Sequence, residues 1–173
     1  MIRKAKAGDV DAAARIYEHI HERERAGELC IGWIQGVYPV RKTAEDAALR
    51  DELFVYEENG RILASAILNR VQLPEYAEGD WKYPASDDEV MVMHTLTVEP
   101  AAASNGIGSR FAAFYENYAR EQGCKVLRID TNAKNAAARR LYARLGYREA
   151  GIIPCDFNGI PDVEMVLLEK TVS

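Results

Sequence analysis

A run of small residues, Val98-Glu99-Pro100-Ala101-Ala102-Ala103-Ser104-Asn105-Gly106-Ile107-Gly108-Ser109, joins a strand-like segment to a helix-like one. Small side chains let backbone approach a ligand closely, and a helix start offers free N–H groups at the positive end of its dipole. Ser104, Asn105, Gly106, Ile107, Gly108 and Ser109 therefore have the composition of an anion site suited to a pyrophosphate. A tight structural turn is spelled the same way. Spacing excludes two other phosphate motifs. A dinucleotide fingerprint needs Gly where Phe111 stands, and a P-loop needs Gly-Lys-Ser/Thr where Gly108 is followed by Ser109-Arg110.

A second stretch, Asn135-Ala136-Ala137-Ala138-Arg139-Arg140-Leu141-Tyr142-Ala143-Arg144-Leu145-Gly146-Tyr147, has helical composition. Asn135, Ala138 and Tyr142 share one face at i, i+3 and i+7, presenting an amide, a gap and a phenol in line. The same spacing fits a packing tyrosine beside core Leu141 and Leu145. Arg139, Arg140 and Arg144 are either phosphate partners or a solvated helix face.

His94, on Val92-Met93-His94-Thr95-Leu96, carries an imidazole whose ordinary pKa of ~6.5 suits proton abstraction, and Glu89 earlier on that segment is the alternative base. A hydrogen-bonded structural histidine is equally consistent with the position of His94. His19 and His21 do not share a helix face, and Cys30, Cys124 and Cys155 lack zinc-type spacing, so no metal site is expected.

The elements that must hold these residues follow from periodicity. A short strand ends near Lys6; Asp9 then caps a helix with Val10, Ala13, Ile16, Tyr17 and Ile20 on one face. Ile31 to Pro39 reads as an aromatic loop and Thr43 to Arg50 as a short helix. Leu53–Tyr56 and Arg61–Leu68 form a hairpin about Asn59-Gly60. Pro74 to Asp88 reads as a long loop and Val90 to Val98 as a strand. Phe111, Phe114, Tyr115, Tyr118 and Ala119 then mark a helix closed by Gly123. Lys125–Asp130, Tyr147–Ile153 and Val163–Leu168 are strands, with Asn135–Leu145 helical between the first two. The alternation predicts an α/β (α+β) sheet layered with helices.

A chain of 173 residues fits one domain, residues 1–173, and its 28% charged and 48% hydrophobic content is that of a globular protein. The net charge of −5 argues against nucleic-acid binding. Few, odd and scattered cysteines, with no signal-type or membrane-length apolar run, point to a cytoplasmic protein that does not engage a membrane.

Ala103 through Gly108 and Asn135 through Tyr147 together resemble the GNAT N-acetyltransferase superfamily. The first resembles its acetyl-CoA signature Gln/Arg-x-x-Gly-x-Gly/Ala, the second its Asn-x-x-Ala-x-x-Leu-Tyr-x-x-x-Gly-Phe/Tyr pattern. Both stand in the expected order and setting. One departure is Ala103, where the family carries Gln or Arg, so the phosphates would rest on backbone N–H groups.

The resemblance implies a mixed, splayed sheet flanked by helices on both faces. It also implies acetyl-CoA as co-substrate, no metal, and acetyl transfer to a primary amine of a small molecule or peptide within a ternary complex. Leu96, Thr97 and Val98 would meet the pantetheine arm; Ser104 through Ser109 the pyrophosphate; Asn135 and Ala138 the arm; and Arg144 the nucleotide end. Tyr142 would protonate the leaving thiolate. His94 resembles a catalytic position of the serotonin N-acetyltransferase branch. Trp33, Ile34, Tyr38 and the late turn Cys155-Asp156-Phe157-Asn158 would form the acceptor pocket. Asp130 and the acidic loop Asp87-Asp88-Glu89 are placed either to attract a cationic amine or to serve as solvated turns and structural caps. The alternative is a non-catalytic acyl-CoA-binding module of the same fold. No residue specifies an oligomeric state, and a homodimer is left open.

Overall fold

The computed structural model describes residues 1–173. In chain order its elements are β1 (Ile2–Lys4), α1 (Val10–Arg25), α2 (Arg41–Leu49), β2 (Leu53–Glu58), β3 (Arg61–Asn69), β4 (Val90–Val98), α3 (Ile107–Glu121), β5 (Val126–Asn132), α4 (Ala136–Arg144), β6 (Arg148–Phe157) and β7 (Ile160–Thr171). The strands make one sheet in the order β1-β2-β3-β4-β5-β7-β6. Every neighbouring pair is antiparallel except β4 and β5, whose parallel pairing requires the α3 crossover between them.

The β2–β3 hairpin turns at Asn59 and Gly60 with φ of 51° and 73°, the left-handed pair that a two-residue type I′ turn demands. Asn158 and Gly159 repeat the device with φ of 47° and 86°. As a result β6 and β7 run on to Phe157 and back from Ile160, and Cys155, Asp156 and Phe157 are strand residues instead of the expected turn.

Helices cover both faces. On one, the apolar stripe of α3 (Ile107, Phe111, Tyr115, Ala119) packs on Met91, Met93, Leu127 and Ile129. On the other, Val10, Ala13 and Tyr17 of α1 pack with Ala44 and Ala47 of α2 on Leu53 and Ile67. The stretch expected as a plain loop, Pro74 to Asp88, contributes two single 3-10 turns and straps the rest of this second face. It lays Tyr76 and Trp81 on Val92, Val126, Met165 and Leu167.

Glu169 anchors this strap. Its fully buried carboxylate accepts from the Lys82 N–H (2.7 Å), the Tyr83 N–H (3.2 Å) and Arg148 Nη1 (2.8 Å). The Arg128 guanidinium stands 4.0 Å over the Trp81 ring from the strand side. No helix is long and apolar enough to cross a membrane.

The sheet is open at its centre. β4 pairs with β5 from Val90↔Val126 to Met93↔Ile129 and no further. Beyond that point β4 stays with β3 as far as Val98↔Ala64, while β5 stays with β7 as far as Asn132↔Met165. A bulge re-aims β4 there: between Ile67↔His94 and Ser65↔Thr97, β3 advances two residues and β4 three, with Thr95 at φ 52°.

Candidate active site

The parting strands enclose a cavity of about 230 Å³. Met93, Thr95, Leu96, Thr97 and Val98 of β4 line one side, and Ile129 to Asn132 of β5 the other. Its roof is the segment from Leu29 to Tyr38. Glu24 on α1 fixes that segment, its carboxylate accepting from the N–H groups of Ile31 and Gly32 at 2.8 Å each. Gly32, at φ 87°, passes so close to β5 that a Cβ there would lie 2.2 Å from Asn132 Nδ2. Tyr38 closes the far wall, its hydroxyl bonded to Thr95 Oγ1 and its ring set edge-on to Phe157 at 5.1 Å.

A second groove of about 550 Å³ continues from this cavity between the starts of α3 and α4. The two share Leu96, Val98, Ala103, Ala138 and Tyr142. Ser104, Gly106, Ile107, Gly108, Ser109 and Arg144 line the groove, whereas Asn105 projects into solvent outside it. Gly106 adopts φ 74° and has no side chain to cap α3, which leaves the first-turn N–H groups without a side-chain acceptor. Gly108 serves packing: a Cβ there would press to 3.2 Å from Leu141 on α4. The groove is therefore lined by backbone and small side chains, with one guanidinium, Arg144, at its rim and no polar side chain at Ala103. Such a helix start fits a phosphate group on the observed geometry.

The α4 face is as predicted. Asn135, Ala138 and Tyr142 all line the cavity, and Asn135 has a local duty too, its Oδ1 accepting from the Ala138 N–H (3.1 Å) to cap the helix. The Tyr142 phenol is buried. Desolvation, and then the negative charge of Asp130, hold its pKa well above the ordinary value, so it stays protonated and able to donate.

Asp130 is the only charged side chain among the residues lining the cavity. Its Oδ2 accepts from Tyr76 Oη at 2.7 Å. Burial pushes its carboxyl up to about 6, against the opposing pull of the Tyr76 hydrogen bond. Tyr76 rides on the strap, distant in sequence, and no local pattern marked it. Phe157, expected in the acceptor pocket but on a turn, lines the cavity from β6, and Val163 and Met165, expected only as strand residues, line it from β7.

Other predicted residues lie elsewhere. His94, before the bulge, is outside the cavity lining and sits instead in a surface groove with Val40, Asn69 and Val71. Asn69 Oδ1 already accepts the Val71 N–H, which fixes the amide, and His94 Nε2–H donates to the same oxygen at 2.9 Å. Burial draws the imidazole down to about 4. Glu89 precedes β4 at the end of a 3-10 turn instead of lying on the strand, is outside the cavity lining, and ion-pairs with Lys125. Ile34 is 44% exposed and outside the lining, whereas Trp33 and Tyr38 are within it. Asp156 is exposed and accepts from the Asp162 N–H at 3.2 Å. Arg139 is held by Glu149 at 2.8 Å. Thr97 contributes to the wall, but its hydroxyl is committed to Ser65 Oγ at 2.9 Å.

A buried phenol and a half-buried carboxylate thus flank an apolar gap that opens onto a helix start with uncapped N–H groups. Comparison with known proteins identifies the fold and the family. The family model described as Acetyltransferase (GNAT) family matches residues 13–147. YhfO of Bacillus subtilis (strain 168), an uncharacterized N-acetyltransferase, is 28% identical over 149 residues, covering 86% of this chain and 89% of that protein. An N-acetyltransferase from Staphylococcus aureus Mu50 superposes with a TM-score of 0.71 at 21% identity, over 100% of this chain and 98% of its own. The yncA protein of Salmonella typhimurium, solved with its cofactor acetyl-CoA, gives 0.67 at 20% identity, over 100% and 94%. The chain belongs to the acetyltransferase (GNAT) family.

Proposed function

We propose that this protein transfers the acetyl group of acetyl-CoA to a primary amine by direct attack in a ternary complex. The observation that carries the reading is the open centre of the sheet. Backbone of Leu96 to Val98 lies free on its β5 side, next to an uncapped helix start and a buried phenol. A pantetheine arm laid along β4 would complete the broken pairing as a strand-like element, with its phosphates on residues 104–109 and its nucleotide end near Arg144. That places the thioester between Tyr142 and Asp130. Acetyl-CoA bound to yncA supports the same use of the fold.

The reaction then needs two proton movements. The amine nitrogen bonds to the acetyl carbonyl carbon, the C–S bond breaks, and the departing thiolate takes a proton. A thiol of pKa ~8.5 leaves more readily with help, and Tyr142 supplies it. The attacking nitrogen must shed a proton, since an alkylammonium of pKa ~10.4 is not nucleophilic. Asp130 is the acceptor in this scheme, and His94 and Glu89 are not. An ammonium drawn against a buried carboxylate is desolvated with it, which lowers one pKa and raises the other, so the proton crosses the pair at reduced cost.

Calorimetry with acetyl-CoA and a thiol-release assay over a panel of primary amines test the proposal together. Binding accompanied by amine-dependent thiol release is the expected result. Binding without release for any amine would leave the non-catalytic acyl-CoA module in its place.

A further inference from the structure

From the walls of the cavity we infer the acceptor class: a small primary amine on an apolar, aromatic-sized body that carries no anionic group. The inference rests on the acetyltransferase reading and narrows it. No Lys, Arg or His contributes to the cavity lining, so a carboxylate, phosphonate or sulfonate on the acceptor would enter without a counter-charge. It would also meet Asp130, the one charge present, at close quarters in a site that excludes most water. The same Asp130 attracts an ammonium, and Tyr76 on the strap holds one of its carboxylate oxygens at the cavity wall.

The remaining walls favour an apolar body. Trp33 and Tyr38 meet edge to face at 6.1 Å and Tyr38 meets Phe157 at 5.1 Å, which presents ring edges and faces beside Val163 and Met165. At about 230 Å³ the space is smaller than the ~300 Å³ at which pockets for drug-sized ligands begin, and the acetyl end of the thioester must share it. The roof from Leu29 to Tyr38 is pinned by Glu24 and pressed onto Asn132, so a long peptide has no open trench to lie in.

Arg128, two residues along β5, is stacked on Trp81 behind Tyr76 and is outside the cavity lining, and the Cys155 thiol of β6 lies within reach of the Asp130 charge. Tyr76 donates to it from the strap, Tyr142 and Tyr38 face it from α4 and the roof, and Glu75 adds a weak repulsion. None of these groups offers a cation to an incoming anion.

Three probes that share a phenyl ring and a primary amine isolate the point: phenethylamine, phenylalanine, and phenylalaninol, in which a hydroxymethyl group replaces the carboxylate at the same carbon. Each is titrated calorimetrically into CoA-loaded protein at near-neutral pH, where no turnover occurs. Phenethylamine and phenylalaninol should bind within about fivefold of each other and phenylalanine at least tenfold more weakly. Asp130→Asn should weaken phenethylamine at least tenfold while CoA affinity stays within about twofold.

Phenylalanine binding as well as phenylalaninol would overturn the inference, as would an Asp130→Asn protein that keeps its phenethylamine affinity. A protein that binds CoA but none of the three amines would overturn it too, leaving the transferase reading intact. Failure to bind CoA at all would remove the reading beneath it.

Discussion

Replacing Asp130 with Asn should make the protein more stable at neutral pH and catalytically poor. The carboxyl rises from an ordinary 3.8 to about 6 on folding, so the folded state binds this proton more tightly than the unfolded chain does. Ionisation therefore weighs against the fold. The penalty is full above about pH 6, fades as pH falls between that value and 3.8, and is absent below both. At 1.36 kcal/mol per pKa unit it amounts to ~3 kcal/mol, with the Tyr76 hydrogen bond already counted in its favour. Asn keeps an oxygen for Tyr76 Oη and carries no charge, so it escapes the penalty. For a chain of this size each kcal/mol moves Tm by ~2–4 °C, which gives a gain of ~6–12 °C near about pH 8. The assay is a pair of thermal melts followed by circular dichroism across a pH series. Titrations common to both proteins cancel in the difference. The gain should shrink steadily below about pH 6 and vanish near pH 3.8. A variant that melts below wild type near about pH 8, or a difference independent of pH, would refute the burial argument for Asp130.

Tyr76→Phe removes the hydrogen bond that restrains the Asp130 carboxyl, so the acid limb of the kcat/KM profile, expected near about 6 in wild type, should move to higher pH; an unmoved limb would show that Asp130 is not the group titrating. Tyr142→Phe should lower kcat by about 100-fold or more while calorimetry returns an unchanged acetyl-CoA affinity, and a wild-type rate would remove the phenol as proton donor. Glu169→Gln neutralises a buried carboxylate that holds two strap N–H groups and the half-exposed Arg148, a change worth ~1.5–3 kcal/mol. Its Tm should fall by ~3 °C or more and exchange at the Lys82 and Tyr83 amides should quicken; a loss below ~1 °C would mean the strap is held by other contacts.

What could be read from the residues alone was what depends on near neighbours. The glycine turn and the Asn135-Ala138-Tyr142 face are set within a dozen residues each, and both stand where their spacing put them. The Asn59-Gly60 hairpin was legible for the same reason. Its counterpart at Asn158-Gly159 was not, because Pro154 and an uneven apolar pattern disguised the ends of two long strands. His94 misled because simple strand alternation says nothing of a bulge. The extra residue at Thr95 lets Leu96 join Met93 on the cavity wall and leaves His94 outside the lining. Tyr76 was beyond reach in a different way. Its meeting with Asp130 spans 54 positions and depends on a strap tied down by Glu169 near the end of the chain. Asp130 itself was visible as a candidate, but an acidic residue acquires unusual proton affinity only through surroundings that the sequence does not list side by side.

The sheet that parts after Met93 and Ile129 also has a meaning for abundance in a cell. A seven-stranded sheet with a gap at its middle is a structure with an interior edge, and an unpaired edge is an invitation to other strands as well as to a ligand. A small molecule seated there acts as a missing strand, binding the folded chain and not the unfolded one. Mass action then ties the population of intact protein to ligand supply, with ~2.7 kcal/mol gained at a hundredfold excess over Kd. Scarcity of that ligand would thin the protein as well as slow it.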